Sequence, residues 1–597
     1  MNKCFNVTYI VGLSAISSAI AMPAFAQSEF NLVYPPQNHE TTADRIFLIG
    51  TAPPEGTVLV NGQEIPRSPA GHFAPSIPLE LGQNRVRLRY EGQTIQRTIV
   101  RQSTQAQFPD RVGFVPGSLT PAVDIARMPG ELVCFGAIAT PQMDLSVQLG
   151  DRAIALMPQQ YAVDLPSNLS VLTGQNQPEV NNPIGYYRGC TSFETPGRLG
   201  QPRFRLKIDD RAIVKSAPGQ VEILSPTTFQ IAEVIAEAGV ARTGPGTSYS
   251  RLTPLPRGTQ ARITGKEGDW LRLDYGGWIN LQEARTFIGG APPQSMIRSI
   301  RTRLSGDWTE VLFPLQVPVP VSVRQERDRL VLTLHNTTAQ TDTIAFDGNP
   351  VVSRLDWRPL IGGDRDAVEY TFHFRSDRQW GYKLRYEGTT LVMSLRHPPA
   401  LEEDEEDRQP LAGMTILLDP GHGSENDLGA RGPTGYPEKD VNLVVSKLLR
   451  DRLERRGATV LMTRQGDEDL WPHDRVELIQ QWEPDLALSI HYNALPDAGD
   501  AMNTAGIGTF WYHPQAHDLA VFLHDYLVRE LDRPSYGVFW NNLALTRPSV
   551  TPAVLLELGF MINPHEFEWI VDPQAQQQLA TALADGIVAW MRSLRSG

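Results

Sequence analysis

Residues 415–423, Thr415-Ile-Leu-Leu-Asp-Pro-Gly-His-Gly423, decide the fold of the last third of the chain. A short apolar run ends in an aspartate and then a turn that contains two glycines and a histidine, which predicts a buried strand followed by a tight loop. From Lys439 to Arg456 the apolar residues recur at helical spacing, and Gly457 closes the segment. Strand, loop and helix in this order are typical of an α/β domain.

The same alternation continues to the C-terminus. The pattern predicts further strands over 458–462, 485–490, 508–512 and 553–557, and further helices over 474–482, 518–531 and 574–594. Buried apolar strands that alternate with helices imply a mostly parallel sheet. The sequence therefore predicts an α/β domain over residues 412–597.

Polar residues stand where the predicted strands end. His422 follows the first strand, His491 ends a later one, Glu557 ends another, and Glu438 stands just before a helix. Ligands of such sheets bind outside the carboxyl ends of the strands. Two imidazoles and one carboxylate are the ligand set of a catalytic zinc site with an open fourth position. Glu557 would then serve as the base toward the attacking water.

Each of these residues also has a simpler interpretation. A histidine at a strand end is more often a hydrogen-bonded structural residue. Glu438 could be a carboxylate stabilised by the helix dipole, and Glu557 could belong to a buried salt bridge. Their convergence on one sheet edge is what favours a metal site.

Five motifs of this domain resemble a known family. In order, they are Asp419-Pro-Gly-His-Gly423, Pro437-Glu-Lys-Asp-Val-Asn442, Thr463-Arg464, Ser489-Ile-His-Tyr-Asn-Ala494 and Pro552-Ala-Val-Leu-Leu-Glu-Leu-Gly-Phe-Met-Ile-Asn563. They are similar to the zinc-dependent N-acetylmuramoyl-L-alanine amidases of the Amidase_3 type, and the resemblance covers about residues 413–594.

The resemblance implies Zn²⁺ as cofactor and a role for each matching residue. It implies that His422, Glu438 and His491 are the zinc ligands and that Glu557 is the catalytic carboxylate. It makes Asn493 and Arg547 candidates for binding the substrate or holding the site loops. Tyr492 departs from the alanine usual in the family and is expected to reshape the wall of the cleft.

The resemblance also implies an activity. We expect a peptidoglycan hydrolase that cleaves the amide between N-acetylmuramic acid and L-alanine, with peptidoglycan as its partner and any regulatory protein partner unknown. Two alternatives are a zinc peptidase that cuts within the stem peptide and a non-catalytic cell-wall-binding protein. Retention of all four site residues argues against the second alternative.

The preceding part of the chain is predicted to consist of small all-β modules, because short alternating strands and turn residues repeat along it. Residues 28–107 suggest an immunoglobulin-like sandwich, with a hairpin turn at Asn61-Gly62, and 113–224 a second β domain. Residues 291–398 faintly resemble the AMIN module of periplasmic amidases. An acidic linker over 399–411 contains Glu402-Glu-Asp-Glu-Glu-Asp407.

Residues 229–286 give a sharper signal. Val240-Ala-Arg-Thr-Gly-Pro-Gly-Thr-Ser-Tyr249, the Gly258 turn, and two tryptophans at 270 and 278 resemble the bacterial SH3 family of small barrels. The expected role of the two tryptophans is to fill a small core. The resemblance makes a wall-binding role plausible for this module.

The N-terminus predicts export. Lys3, an apolar stretch from Val11 to Ala21 and Ala24-Phe-Ala26 have the pattern of a signal peptide over residues 1–26. The alternative, a membrane anchor, needs about 20 apolar residues, so we expect no transmembrane segment in the mature chain. A periplasmic or cell-wall-associated location is oxidising, which favours a disulfide between Cys134 and Cys190 over two unrelated buried thiols.

Composition excludes other classes. The chain has 597 residues, of which 41% are hydrophobic and 20% charged, so it is neither disordered nor a single small domain. Its formal net charge of -13 argues against a nucleic-acid partner.

Overall fold

The computed structural model describes residues 29–104, 111–160, 162–164, 179–181, 184–346, 349–360, 366–376, 378–399 and 409–595. The predicted signal peptide and the acidic run Glu402–Asp407 lie outside the described residues. Within the described ranges, no helix combines the length and the apolar character that crossing a bilayer requires.

The first module, residues 29–104, is built from ten short strands. They are β1 (Asn31–Tyr34), β2 (His39–Thr41), β3 (Arg45–Phe47), β4 (Ile49–Thr51), β5 (Leu59–Val60), β6 (Gln63–Glu64), β7 (His72–Phe73), β8 (Ser76–Pro78), β9 (Gly82–Tyr90) and β10 (Gln93–Arg101). They form sheets β2-β10-β9-β5-β6, β1-β4-β7 and β3-β8 around one apolar core. Asn61 and Gly62 make the predicted hairpin turn between β5 and β6, both with positive φ.

The second module continues with β11 (Ile125–Arg127), β12 (Leu132–Ile138), β13 (Leu145–Leu149), β14 (Arg152–Pro158), β15 (Ala162–Asp164), β16 (Glu179–Asn181), β17 (Tyr186–Ser192), β18 (Gly197–Gly200), β19 (Arg203–Ile208), β20 (Arg211–Ser216) and β21 (Val221–Ile223). Its main sheet has the order β12-β17-β14-β13-β19-β20. Cys134 and Cys190 face each other across β12 and β17 and form a disulfide.

The third module, residues 229–289, holds β22 (Phe229–Val234), β23 (Ala238–Gly239), β24 (Leu255–Pro256), β25 (Gln260–Glu267), β26 (Trp270–Leu273), β27 (Trp278–Asn280) and β28 (Ala284–Gly289). Trp278 is buried and Trp270 is half-buried, but the apolar core of the module is formed by their neighbours Leu271, Leu273 and Ile279, so the expectation that the two tryptophans fill this core is wrong. The module is not separate from the second one, because β11 pairs with β25 and joins both into a single eight-stranded sheet. A local sequence pattern does not predict pairing between strands that are far apart in the chain, so this joint sheet was not expected.

The fourth module, residues 295–399, consists of two sheets packed over one core. Its strands are β29 (Ser295–Ser305), β30 (Trp308–Pro314), β31 (Val321–Gln325), β32 (Arg329–His335), β33 (Thr337–Ile344), β34 (Val352–Leu360), β35 (Ala367–Phe374), β36 (Tyr382–Glu387) and β37 (Thr390–Arg396). The sheet orders are β33-β29-β30-β37-β36 and β31-β32-β35-β34.

The C-terminal domain, residues 409–595, is the predicted α/β domain. Its elements are β38 (Thr415–Pro420), α1 (Glu438–Arg455), β39 (Thr459–Met462), α2 (Pro472–Trp482), β40 (Leu486–Asn493), β41 (Ile507–Trp511), α3 (Pro514–Leu531), β42 (Ser535–Trp540), β43 (Ala553–Phe560), α4 (Pro564–Val571) and α5 (Pro573–Arg595). The sheet order is β39-β38-β40-β43-β41-β42. All neighbours are parallel except β41 and β43, so the sheet is mixed but mostly parallel.

Helices cover both faces of this sheet. On one face α1, α3 and α5 bury their apolar stripes, such as Val441, Val445 and Leu449 of α1. On the other face α2 packs beside Trp308 of the fourth module. Leu411, at the end of the predicted linker, is fully buried in the first of these cores, so the domain begins before that residue.

Other modules pack at the two ends of the sheet. The fourth module lies at the end where the parallel strands begin, where Arg396 pairs with Asp485 at 2.9 Å. The first module lies at the opposite end. There Phe47 and Ile49 share a buried cluster with Leu495 and Phe560, and Asp497 accepts a hydrogen bond from Tyr34 and lies 2.9 Å from His39.

Candidate metal centre

Three adjacent parallel strands bring the predicted site residues to one edge of the sheet. In the pairing of β38, β40 and β43, Pro420 lies beside Ile490, and His491 lies beside Glu557. His422 follows β38 by two residues, and Glu438 is the first residue of α1. The structure thus places His422, Glu438, His491 and Glu557 together, at the edge where α/β sheets bind ligands.

The three predicted ligands converge on one point. One nitrogen of His422, one of His491 and a carboxylate oxygen of Glu438 all lie within 4.8 Å of one another. Glu438 Oε2 is 3.2 Å from Nε2 of His422, and Oε1 is 3.1 Å from Nδ1 of His491. The two imidazole rings are 4.9 Å apart and nearly perpendicular.

The Glu438 carboxylate is buried and held from several sides. It accepts hydrogen bonds from the backbone amides of Ala430 at 2.9 Å and Tyr492 at 3.0 Å, and from Asn442 Nδ2 at 3.1 Å. Burial alone would raise the pKa of this carboxyl, but its bonds to His422 and His491 outweigh burial and lower the pKa. The group is therefore a carboxylate in the folded protein.

A strained loop presents His422. Its φ of 59° is left-handed, which is uncommon for a residue with a side chain. Two glycines leave room for the ligands. A Cβ on Gly421 would lie 2.2 Å from the His491 ring, and one on Gly429 would lie 2.6 Å from Glu438 Oε2.

Two buried arginines hold this loop in place through hydrogen bonds to its backbone carbonyls. Arg475 donates to the carbonyl of His422 at 2.6 Å and to Asp419 at 2.7 Å. Arg464 donates to the carbonyls of Gly421 at 3.0 Å and Lys439 at 2.7 Å, and so ties the β38 loop to the start of α1. These bonds offset the strain at His422 because both guanidinium groups that make them are buried.

Asp427 orients His422. Its carboxylate lies 2.6 Å from Nδ1 of the imidazole, which leaves Nε2 facing Glu438. Burial lowers the pKa of His422, but the hydrogen bonds and negative charges of Glu438 and Asp427 outweigh it and raise the pKa to about 9. A carboxylate behind a histidine is the usual support of a metal-binding imidazole.

Glu557 differs from Glu438 in having a free oxygen. Its Oε2 is buried and has no hydrogen-bond partner among the described residues. Burial, and then the negative charge of Glu438, raise the pKa of Glu557 well above its usual value. Unpaired buried carboxylate oxygens are costly and are typical of functional sites.

These features fit a zinc ion. The site offers two imidazole nitrogens and one carboxylate as ligands, and zinc prefers ligands of these two kinds. The glycine-lined space at Gly421 and Gly429 and the orphaned Oε2 of Glu557 both fit a bound cation with a water beside it.

Asn493 and Tyr492 follow His491 on β40. Asn493 is buried. Its Oδ1 accepts from the amide of Ala494 at 2.9 Å, and its buried Nδ2 has no hydrogen-bond partner within the described part of the chain. The expectation that Tyr492 shapes the cleft wall is wrong. Its side chain is 2% exposed and lies in the core, because neighbouring residues of a strand point to opposite faces.

The structure does not bring Arg547 to the four site residues. It follows β42, which runs parallel to β41 and therefore opposite to β43, so Arg547 lies near the end of the sheet where β43 begins. Its Nε donates to Asn542 at 2.7 Å. Burial, and then the positive charges of Arg251 and Arg242, lower its pKa to about 10.

Sequence reasoning missed Asp427, Asn442 and Arg475, which support the ligands without touching the space between them. Asn442 and Arg464 belong to two of the five family-like motifs, but the sequence did not indicate that they support the metal ligands. Arg475 comes from α2 and reaches His422 across the sheet edge, and only the folded chain reveals this contact.

Comparisons with known proteins find similarity in the C-terminal domain. Residues 416–589 match the family model Amidase_3, described as N-acetylmuramoyl-L-alanine amidase. The "Probable cell wall amidase LytH" of Staphylococcus aureus is 36% identical over 187 residues, which are 31% of this chain and 61% of that protein. The chain therefore spans about three fifths of the length of this curated relative.

Solved structures of similar proteins include an N-acetylmuramoyl-L-alanine amidase from Clostridium difficile 630, at 31% identity and a TM-score of 0.29, covering 30% of this chain and 97% of that one. The CwlD amidase of Clostridioides difficile, solved in complex with the GerS lipoprotein, has 27% identity and a TM-score of 0.28, over 30% of this chain and 99% of that one. The family match confirms, for residues 416–589, the resemblance to the Amidase_3 type of N-acetylmuramoyl-L-alanine amidase.

Proposed function

We propose that this protein is an exported, zinc-dependent N-acetylmuramoyl-L-alanine amidase. Its substrate is peptidoglycan, and the bond cleaved is the amide between the lactyl group of N-acetylmuramic acid and L-alanine. The observation that carries the proposal is the convergence of His422, Glu438, His491 and Glu557 at one strand-end edge of a domain that matches the amidase family.

His422 Nε2, Glu438 and His491 Nδ1 would hold the zinc ion. When bound, zinc supplies Lewis-acid chemistry, polarising the scissile carbonyl and making water acidic enough to deprotonate near neutral pH.

Glu557 would move the proton. Its unpartnered Oε2 is free to accept a proton from the attacking water and to return it to the leaving amine of L-alanine. Its raised pKa suits a carboxyl that must hold this proton between the two transfers.

The remaining supports keep the ligands in place. Asp427 fixes the His422 ring, and Arg475 and Arg464 fix the loop that carries it. We further propose that the chain acts outside the cytoplasm and that the β modules target or regulate the amidase domain.

Product analysis on isolated sacculi tests the proposal. An amidase releases stem peptides with a free N-terminal L-alanine and leaves peptide-free glycan. A zinc peptidase would release shorter peptides and leave L-alanine on the sugar. A protein that binds sacculi without releasing any peptide would be a wall-binding protein instead.

Metal analysis completes this test. We expect the wild-type chain to contain one zinc ion and His422→Ala and His491→Ala to lose most of it. His473→Ala is the matched control, because His473 is exposed and outside the centre. Undiminished zinc in both ligand variants would remove the proposed site.

A further inference from the structure

An exposed tryptophan ends the chain segment that packs on the loop carrying His422. Trp471 is the residue before α2, and 57% of it is exposed. Its backbone amide donates to Asp474 at 2.8 Å, so its position at the helix start is fixed. Trp540, at 63%, is comparably exposed, but it ends β42 at the opposite end of the sheet from Glu557.

The backbone around Trp471 is bonded directly to the loop that carries His422. Arg475 donates through Nη2 to the carbonyl of His422 at 2.6 Å and through Nε to the carbonyl of Leu470 at 3.1 Å. One buried guanidinium thus joins a ligand residue to the residue before Trp471.

A second set of contacts joins the segment 468–471 to the loop that carries His422. Ser424 donates to Asp469 at 2.7 Å and Asn426 donates to it at 3.1 Å. A Cβ on Gly423 would lie 2.4 Å from the carbonyl oxygen of Glu468. The segment 468–471 therefore packs on the loop that follows His422 and forms one side of the cleft mouth.

This side of the cleft is acidic. Asp467, Glu468 and Asp469 precede Trp471. Asp467 pairs with Lys439 at 2.7 Å and Glu468 lies within reach of the positive charge of Arg464, whereas Asp469 forms no ion pair with any residue that the structure describes. A stem peptide with free carboxylates is repelled by such a rim, since like charges face each other. N-acetylated sugars, whose lactyl carboxyl is consumed in the scissile amide, are neutral and are not repelled.

We propose that Trp471 is a stacking platform for the glycan strand on the sugar side of the scissile bond. The inference rests on the proposed function, because that function puts a sugar next to the amide held at the centre. The apolar C–H face of a pyranose ring fits the face of an indole, and the indole N–H is available to a sugar hydroxyl. The acidic segment before Trp471 directs the stem peptide to the other side of the cleft.

Binding to peptide-free glycan tests the platform separately from cleavage. The full chain carrying Glu557→Gln serves as the parent, and the probes are peptide-free strands of alternating N-acetylglucosamine and N-acetylmuramic acid and, separately, a free stem peptide. We expect Trp471→Ala to weaken glycan binding about threefold to tenfold, as loss of one aromatic contact does. Stem-peptide binding and zinc content should stay at parent values.

Two further variants sharpen the result. Trp471→Phe should recover part of the glycan affinity, and Trp540→Ala, the matched exposed tryptophan, should bind like the parent. Parent-like glycan binding by Trp471→Ala, a loss confined to the stem peptide, or an equal loss in Trp540→Ala would overturn the proposal. Failure of the wild-type chain to cleave sacculi would instead count against the proposed function, because the binding measurement needs no turnover.

Discussion

Asp427 Oδ1 lies 2.6 Å from Nδ1 of His422, and this contact decides which ring nitrogen faces the metal centre. With Nδ1 engaged, Nε2 points to Glu438. At the other imidazole the roles are reversed, since Nδ1 of His491 is the nitrogen near Glu438. The two histidines therefore offer different nitrogens, and only His422 has a carboxylate behind it among the described residues.

Asp427→Ala should weaken zinc binding about 10- to 100-fold, the usual effect of removing such a support. The ring would lose the partner that fixes its orientation, while all three ligands remain. Zinc affinity measured by competition with a chelator checks this result. Glu425→Ala, an exposed carboxylate in the same loop, is the control and should bind zinc like the wild type.

Glu557→Gln and Glu438→Gln should separate two functions of buried carboxylates. The first variant should keep zinc and lose turnover by about 10²- to 10⁴-fold, because an amide cannot accept the water's proton. The second should lose zinc, since the amide carries no charge to bind it. Zinc content and amide cleavage measured on both variants decide the matter, and loss of zinc in Glu557→Gln would make Glu557 a ligand.

Phe47→Ala tests whether the first module steadies the loop after His491. Phe47 is 3% exposed and shares a buried cluster with Leu495 and Phe560. Removing its ring should therefore lower the free energy of local unfolding of the loop by up to about 3 kcal/mol. Hydrogen exchange at residues 494–501 should become faster, while exchange within β38 stays unchanged. Equal exchange in both proteins would show that the module is only a neighbour.

Cys134→Ser should destabilise the second module. The disulfide closes a loop with a sequence separation of 56, and loops of this size stabilise a fold by about 4 kcal/mol in the chain-entropy model. The thermal midpoint should fall in the variant and, to a similar degree, in reduced wild-type protein. Two free thiols in denatured, unreduced wild-type protein would contradict the bridge.

His335 should make stability depend on pH. It lies at the contact of the third and fourth modules, with Ser322 Oγ at 2.9 Å and the Tyr275 ring 5.0 Å away. Burial lowers the pKa of His335 to about 4. Unfolded histidine titrates near pH 6.5, so between about pH 6.5 and 4 only the unfolded state takes up the proton, and stability falls as pH falls.

The free energy of unfolding should fall by up to roughly 3 kcal/mol between about pH 6.5 and pH 4 because of His335. Unfolding curves at pH 7 and pH 4.5 measure it, and His335→Gln should show a smaller difference between the two conditions. The contribution is complete above pH 6.5. A difference that is the same in both proteins would assign the pH dependence to other groups.

Local sequence patterns predicted most of the C-terminal domain. The helix expected over 439–456 is α1, Glu438–Arg455, and the strand expected over 553–557 begins β43, Ala553–Phe560. Strand β42, Ser535–Trp540, was missed because it is glycine-containing and half exposed, and α4 was missed because it is short. Both lack the long apolar repeat on which such predictions depend.

The metal ligands were predictable because each follows a strand or begins a helix at the same edge. Their supports were not. The carbonyl of His422 and the side chain of Arg475 meet only after β38 and α2 are folded together. Likewise, nothing near Ile125 indicates that β11 pairs with β25 and merges two predicted modules.

The contact between Tyr34 and Asp497 joins positions 463 residues apart, and this has a consequence for folding. The first module leaves the ribosome early, yet Phe47 and Ile49 find their apolar partners only in the last part of the chain to be made. Contacts of such long sequence separation form late and slowly. Until the C-terminal domain has folded, the first module exposes Phe47 and Ile49 to solvent. The protein is therefore most prone to aggregate in the time between the folding of the first module and the folding of the C-terminal domain.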